Sequence, residues 1–163
     1  MAEVARTGVL VAAMVATGWF AGLFFAFQIA VMPGLARCGD RVFVSAMRAM
    51  NTAILNPLFA VAFVGSPLAL AAAGLLHLAP AQRPALVWIA AAFVLVVGVV
   101  VVTMTRNVPL NDALEREGAA AEDDEAAAAA VRRRFAGPWT RWNALRTAAS
   151  ALALACLAAA LAA

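Results

Sequence analysis

From Ala85 to Thr105 the chain carries no charged side chain, and a run of that length matches the roughly 20 apolar residues that take an α-helix across a bilayer. Only a helix or a closed barrel satisfies its own backbone in lipid. Three more apolar stretches, at about 8 to 32, 57 to 79 and 147 to 163, repeat the pattern. The expected fold is therefore all-α: one integral membrane domain, residues 1–163, made of four transmembrane helices joined by loops 33–56 and 106–146. Composition agrees, with 66% hydrophobic and 13% charged residues against roughly half and a quarter in soluble proteins. The last stretch is the weakest, since at 1.5 Å per residue it reaches roughly 26 Å, and a start nearer Asn143 is equally open. The first is too long for a signal-peptide core and ends in Met32-Pro33-Gly34 without a small-x-small cleavage pattern, so it is expected to stay in the mature protein.

Every basic side chain is an arginine, and their distribution gives a direction. Ten of the twelve (Arg37, Arg41, Arg48, Arg106, Arg116, Arg132, Arg133, Arg134, Arg141 and Arg146) fall on one side of the four-span scheme, and only Arg6 and Arg83 on the other. Cytosolic loops retain positive charge, so both long loops are expected in the cytosol of a multi-pass cell-membrane protein, with both termini outside. Arginines placed beside membrane segments do not make the basic face of a nucleic-acid-binding domain, and no nucleic-acid partner is expected. His77 is the single histidine and there is no tyrosine, which excludes a bis-histidine haem or a multi-histidine metal centre built from one chain. Cys38 and Cys156 fall in a loop and in the last span, too far apart in this scheme for a structural disulfide.

Both long loops contain helical patterns. Phe43, Met47 and Met50 recur at helical spacing between Asp40 and Asn51, with Arg41 and Arg48 on another face, which predicts a short amphipathic helix at the cytosolic interface. Asn56-Pro57 reads as an N-cap followed by a first-turn proline. A second helix is predicted over about 121 to 135, its acidic start (Glu122 to Glu125) and basic end (Arg132 to Arg134) complementing the helix dipole, with Gly137-Pro138 as its stop.

The candidate site residues are the polar ones that fall at the cytosolic helix ends. Gln28 is the one strongly polar side chain of the first span, and an unpaired amide there costs roughly 1 to 3 kcal/mol; it either bonds a neighbouring helix or faces a ligand. Trp139, Trp142, Asn143 and Arg146 stand at i, i+3, i+4 and i+7 and share a helical face. Asn51, Asn56, Asn107 and Asn111 fall at the same depth. Interfacial tryptophans and capping asparagines account for part of this, but polar groups at membrane depth mark function often enough to predict a shared pocket. Phe20, Phe24, Phe25 and Phe27 could line an apolar site. The small residues Gly18, Gly22, Ala26 and Ala30 favour close helix packing inside the bundle, with a homo-oligomer interface as the alternative use.

Five segments, Gly22-Leu-Phe-Phe-Ala-Phe, Val31-Met-Pro-Gly-Leu, Met50-Asn-Thr-Ala-Ile-Leu-Asn-Pro, Asn107-Val-Pro-Leu-Asn and Trp139-x-x-Trp-Asn-x-x-Arg-Thr, together resemble the anthrone oxygenase-like membrane family over nearly the whole chain. The resemblance implies oxidation of an anthrone to an anthraquinone by dioxygen with no metal or organic cofactor, on an apolar aromatic substrate that arrives from the lipid bilayer. Under it Asn107, Asn111, Asn143 and Arg146 are the catalytic candidates, as donors to the developing oxyanion. Gln28, Asn51, Asn56, Trp139 and Trp142 are the substrate-binding ones. No base is identified; Asp112 is the carboxylate nearest the polar cluster. A non-catalytic membrane protein, an accessory subunit or a lipid or small-molecule binder, is the alternative on the same bundle.

Overall fold

The computed structural model describes residues 1–163, the side chain of Ala2 apart, and is all-helical. Seven α-helices follow in chain order: α1 (Ala2–Ala26), α2 (Met32–Leu35), α3 (Asp40–Ala53), α4 (Pro57–Leu76), α5 (Arg83–Val102), α6 (Val108–Ala120) and α7 (Glu125–Ala162). Four continuous helical stretches among the described residues are long and apolar enough to cross a membrane: Glu3–Leu35, Pro57–Leu76, Pro80–Ala120 and Glu125–Ala162. They support a multi-pass membrane protein.

Neighbour packing sets the bundle order. α1 lies against α4 and α7, and α5 lies against the same two, so α1 and α5 occupy opposite corners of a four-helix square. Toward the short-turn end the interior is made of small and aliphatic side chains, among them Leu10, Ala13, Leu70, Ala73, Ala92, Val96 and Leu157. A middle layer of Phe20, Phe24 and Val99 follows. Beyond it α3, α6 and the first half of α7 enclose a separate core of Phe43, Val44, Met47, Leu114, Val131, Phe135 and Trp139.

Two π-helical turns, Phe27–Val31 and Thr103–Asn107, join α1 to α2 and α5 to α6. Each precedes a proline by two positions, Pro33 and Pro109. Proline has no N–H and its ring clashes with the carbonyl four residues back; the extra residue of a π-turn reroutes the ladder, with the Met32 and Val108 amides donating to Phe27 and Thr103. Both turns lie at the end of the bundle that carries α3 and α6.

Three expectations change here. Gly137-Pro138 does not stop a helix: α7 runs unbroken from Glu125 through Pro138 to Ala162, because burial of Phe135, Trp139, Asn143 and Arg146 along one stripe outweighs the single hydrogen bond that proline removes. Arg132, Arg133 and Arg134 thus lie within a helix and not at its dipole end. Arg132 instead donates to the Cys38 and Ala36 carbonyls at 2.9 and 2.8 Å and to Asp40 Oδ1 at 2.7 Å, tying the α2–α3 turn to α7. The acidic cluster also divides its labour: Asp124 caps α7, accepting from the Ala126 and Ala127 amides at 2.9 and 3.1 Å, while Asp123 and Glu122 reach Arg41 and Arg48. The apolar face of α3 is turned against α6 and α7, with Phe43, Val44 and Met47 buried.

Candidate functional site

α7 presents its buried polar stripe at Trp139, Asn143, Arg146 and Ser150, the i, i+4, i+7, i+11 spacing that keeps one helical face inward. Arg146 is 4% exposed, and among the described residues no carboxylate pairs with it. Its Nη2 donates to Asn143 Oδ1 at 2.9 Å and its Nη1 to Thr103 Oγ1 at 3.4 Å, while Nε has no partner. Aromatic rings supply the remaining contacts: the guanidinium carbon is 4.2 Å from the Phe24 ring centre and 5.3 Å from that of Trp139. The ring quadrupoles offset part of the cost of burying a cation, and none of them neutralises it.

Asn143 organises the floor. Its Nδ2 donates to the Phe24 carbonyl at 3.0 Å and to Gln28 Oε1 at 3.1 Å, which leaves Oδ1 for Arg146. Both Asn143 bonds go to α1 at or beside its π-turn. Thr103, at the π-turn after α5, donates its own hydroxyl to the Val99 carbonyl at 2.8 Å, so its oxygen is oriented to accept from Arg146. Asn107, one turn on and 1% exposed, donates weakly to the Trp139 carbonyl at 3.5 Å and keeps an unpartnered Oδ1. The Trp139 indole N–H donates to Asn111 Oδ1 at 2.9 Å, which fixes the ring plane.

Beside these groups lies a cavity of about 270 Å³, close to the lower end, roughly 300 Å³, of small-molecule pockets. Phe24, Phe27, Phe59 and Trp139 wall it, Arg146, Thr103, Asn111 and Asn51 add polar groups, and Met50, Ile54 and Leu55 close it from the end of α3. Phe27 and Trp139 stand 5.5 Å apart at 48°, a wedge and not a stack. At the exposed rim are Thr52, Asp112 and Glu115. Glu115 accepts from Arg48 Nε at 3.1 Å and Nη2 at 2.8 Å, joining α6 to α3. That hydrogen bond, reinforced by the charge of Arg48, holds the Glu115 carboxyl below the ordinary glutamate range.

The structure thus brings Asn51, Asn111, Trp139 and Arg146 to one cavity, and sets Asn107 and Asn143 directly behind Trp139 and Arg146. Three candidates stand elsewhere. Gln28 bonds Asn143 from the far side and faces an outer groove with Met32 and Arg132. Asn56 caps α4, its Oδ1 accepting from the Phe59 amide at 3.0 Å. Trp142 is half-buried beneath Arg106, whose guanidinium carbon lies 5.1 Å from the ring centre. Of the four phenylalanines, Phe24 and Phe27 line the cavity, Phe20 is core and Phe25 is exposed. Sequence reasoning passed over Thr103 and Glu115. Thr103 was findable, because it continues the inward stripe Ala92, Val96, Val99 toward Asn107; Glu115 was not, since its place depends on α6 continuing α5 past the π-turn.

No curated protein and no solved structure matches the chain. The family model described as Anthrone oxygenase matches residues 56–156. That match covers more than half of the sequence and takes in Asn107, Asn111, Trp139, Asn143 and Arg146. With its helices long and apolar enough for a bilayer, the chain belongs to the anthrone oxygenase family.

Proposed function

We propose that the protein is a cofactor-independent oxygenase that oxidises a flat, apolar anthrone-type substrate with dioxygen in the cavity lined by Trp139 and Arg146. The observation that carries this reading is Arg146: a buried guanidinium with no carboxylate partner, facing a space walled by aromatic rings. A cation held in that way costs stability, and its natural complement is negative charge that develops on a bound oxygen.

An anthrone's methylene lies between two aromatic rings and para-related to its carbonyl across the central ring, so loss of a proton leaves an anion delocalised onto that carbonyl oxygen. Arg146 stabilises that oxyanion. The carbanion carbon gives its electrons to dioxygen, a C–O bond forms, and loss of the second methylene proton with expulsion of water leaves the second carbonyl. Substrate and dioxygen balance against quinone and one water. Asn143 and Thr103 orient the guanidinium, Trp139 and Phe24 hold the ring system, and Asn111 and Asn107 steady Trp139 from its edge and its backbone. Asn51 contributes a free amide to the cavity. Gln28 acts through Asn143, Asn56 through the start of α4, and Trp142 through Arg106.

The same reading places α3, α6 and the first half of α7 in the cytosol, with both termini outside, because ten of the twelve arginines gather at or near that end of the bundle. Purified protein in detergent, given a simple anthrone under air, is expected to take up oxygen and form quinone above autoxidation, and Arg146→Ala to lose that excess while remaining folded. Background rates from the wild type would move the cavity to a binding or accessory role.

A further inference from the structure

We propose that Asp112 is the proton acceptor of this cavity, taking a methylene proton from the carbon acid bound against Trp139 and Arg146 in the same pocket; the inference rests on the oxygenase reading above. The cavity lining limits the choice of base. The single histidine, His77, is at the far end of α4, with Nδ1 2.7 Å from the Ala73 carbonyl. Two carboxylates remain, Asp112 and Glu115, both on the α6 face that also carries Val108 and Asn111 toward the cavity.

Their situations differ. Both oxygens of Glu115 are engaged by the forked guanidinium of Arg48, at 2.8 and 3.1 Å. A carboxylate held by two charge-assisted bonds gives up proton affinity and freedom to move. Asp112 makes no ion pair and no side-chain hydrogen bond among the described residues, so its lone pairs are open to a substrate. The preceding residue, Asn111, is bound to the Trp139 indole at 2.9 Å, which pins this turn of α6 beside the aromatic wall. Arg146, 4% exposed with an unpartnered Nε, supplies the opposing positive charge. Asp112 is itself exposed, so a proton it accepts passes to water before the next turnover.

In the step, the methylene C–H bond breaks, the proton goes to a carboxylate oxygen of Asp112, and the electron pair stays on the ring system, spread to the oxygen at Arg146. Dioxygen then takes those electrons as described above. Asp112 acts on the C–H bond, and Arg146 on the negative charge that develops on the carbonyl oxygen.

The test compares wild type, Asp112→Asn, Asp112→Ala and Glu115→Ala in detergent, each checked by size exclusion and tryptophan fluorescence, with quinone formation measured after subtracting autoxidation. Asp112→Asn is expected to lose about 100-fold or more of the catalysed rate, as removal of a general base does. Added formate, a small carboxylate able to fill the space left in Asp112→Ala, is expected to restore turnover there and to leave Arg146→Ala inactive. Wild-type turnover that survives in Asp112→Asn overturns the assignment, as does a folded, inactive Asp112→Ala that ignores formate. Formate rescue confined to Glu115→Ala gives the role to Glu115 instead. A wild type at the background rate overturns the oxygenase reading itself, and the base with it.

Discussion

The two halves of the bundle solve the problem of a low-dielectric interior differently. Around Leu10, Ala73, Ala92 and Leu157 the helices meet through small apolar side chains, and the polar groups buried in or beside that half are the hydroxyls Thr17, Ser66 and Ser150 and the His77 ring at the end of α4. Around Trp139 and Arg146 a charge, the amides of Asn51 and Asn111 and several aromatic rings share one space, with Asn107 and Asn143 behind it. Among the described residues, the first half leaves those three hydroxyls without partners but holds no buried arginine. The second retains a buried cation, an unpartnered Asn107 oxygen and two π-turns, each of which costs stability, and such costs gather where a function uses them. The contrast separates scaffold from site.

If the division holds, substitutions in the two halves should move different observables. Leu157, fully buried on α7 at the apolar end, is expected to cost about 2 to 5 kcal/mol when changed to alanine, through lost contacts and a residual cavity. Thermal unfolding in detergent would fall accordingly, while turnover per folded molecule stays at the wild-type value. A parallel loss of turnover would mean that the apolar half transmits into the site.

Arg146→Met tests the other half in the opposite sense. Losing the stabilising cation should lower turnover by about 100- to 1,000-fold, or roughly 2.7 to 4 kcal/mol on the barrier. Stability should change little, because removing a buried charge offsets the unsatisfied Asn143 oxygen left behind. A large drop in melting temperature would recast Arg146 as a structural strut.

Gly118 probes the tie between the halves of the cavity wall. A Cβ there would meet Val44 Cγ1 at 2.7 Å and Arg48 Cδ at 2.8 Å, so Gly118→Ala displaces these side chains and with them the packing of α3 on α6. The expected cost is about 1 to 3 kcal/mol of overpacking, accompanied by weaker substrate binding, since α3 carries Met50 and Asn51 into the cavity. Unchanged KM alongside lower stability would show that α3 is a brace and not a wall.

Much of the fold was legible because hydropathy and length report directly on lipid exposure, as in Ala85 to Thr105. The continuity of α7 was not, since Gly137-Pro138 has the local chemistry of a stop and only tertiary burial of the stripe on either side overrules it. The site was legible where helical spacing alone decides the face: Trp139, Asn143 and Arg146 are brought together by one helix. It was not legible where two helices must be placed. Trp142, three residues from Trp139, rotates off the stripe toward Arg106, and Glu115 reaches the cavity rim only because α6 continues α5 past the π-turn.

The fold-back of α3 depends partly on a pH-sensitive contact, and this gives the smallest expected effect. Arg48 lowers the proton affinity of Glu115, so the pair stabilises the folded state above the ordinary glutamate pKa of about 4.3 and loses that contribution as pH falls through the lower folded value. Both side chains are partly exposed, at 19% and 53%, which limits the contact to about 0.2 to 1 kcal/mol and makes it sensitive to salt. Amide exchange in α3, relative to that in α5, should therefore be unchanged from neutral pH down to about 5, and rise at lower pH or in high salt. Exchange in α3 that ignores both would assign its docking to Phe43, Val44 and Met47 alone. The rim of the cavity would then be held by the same apolar packing that holds the rest of the bundle.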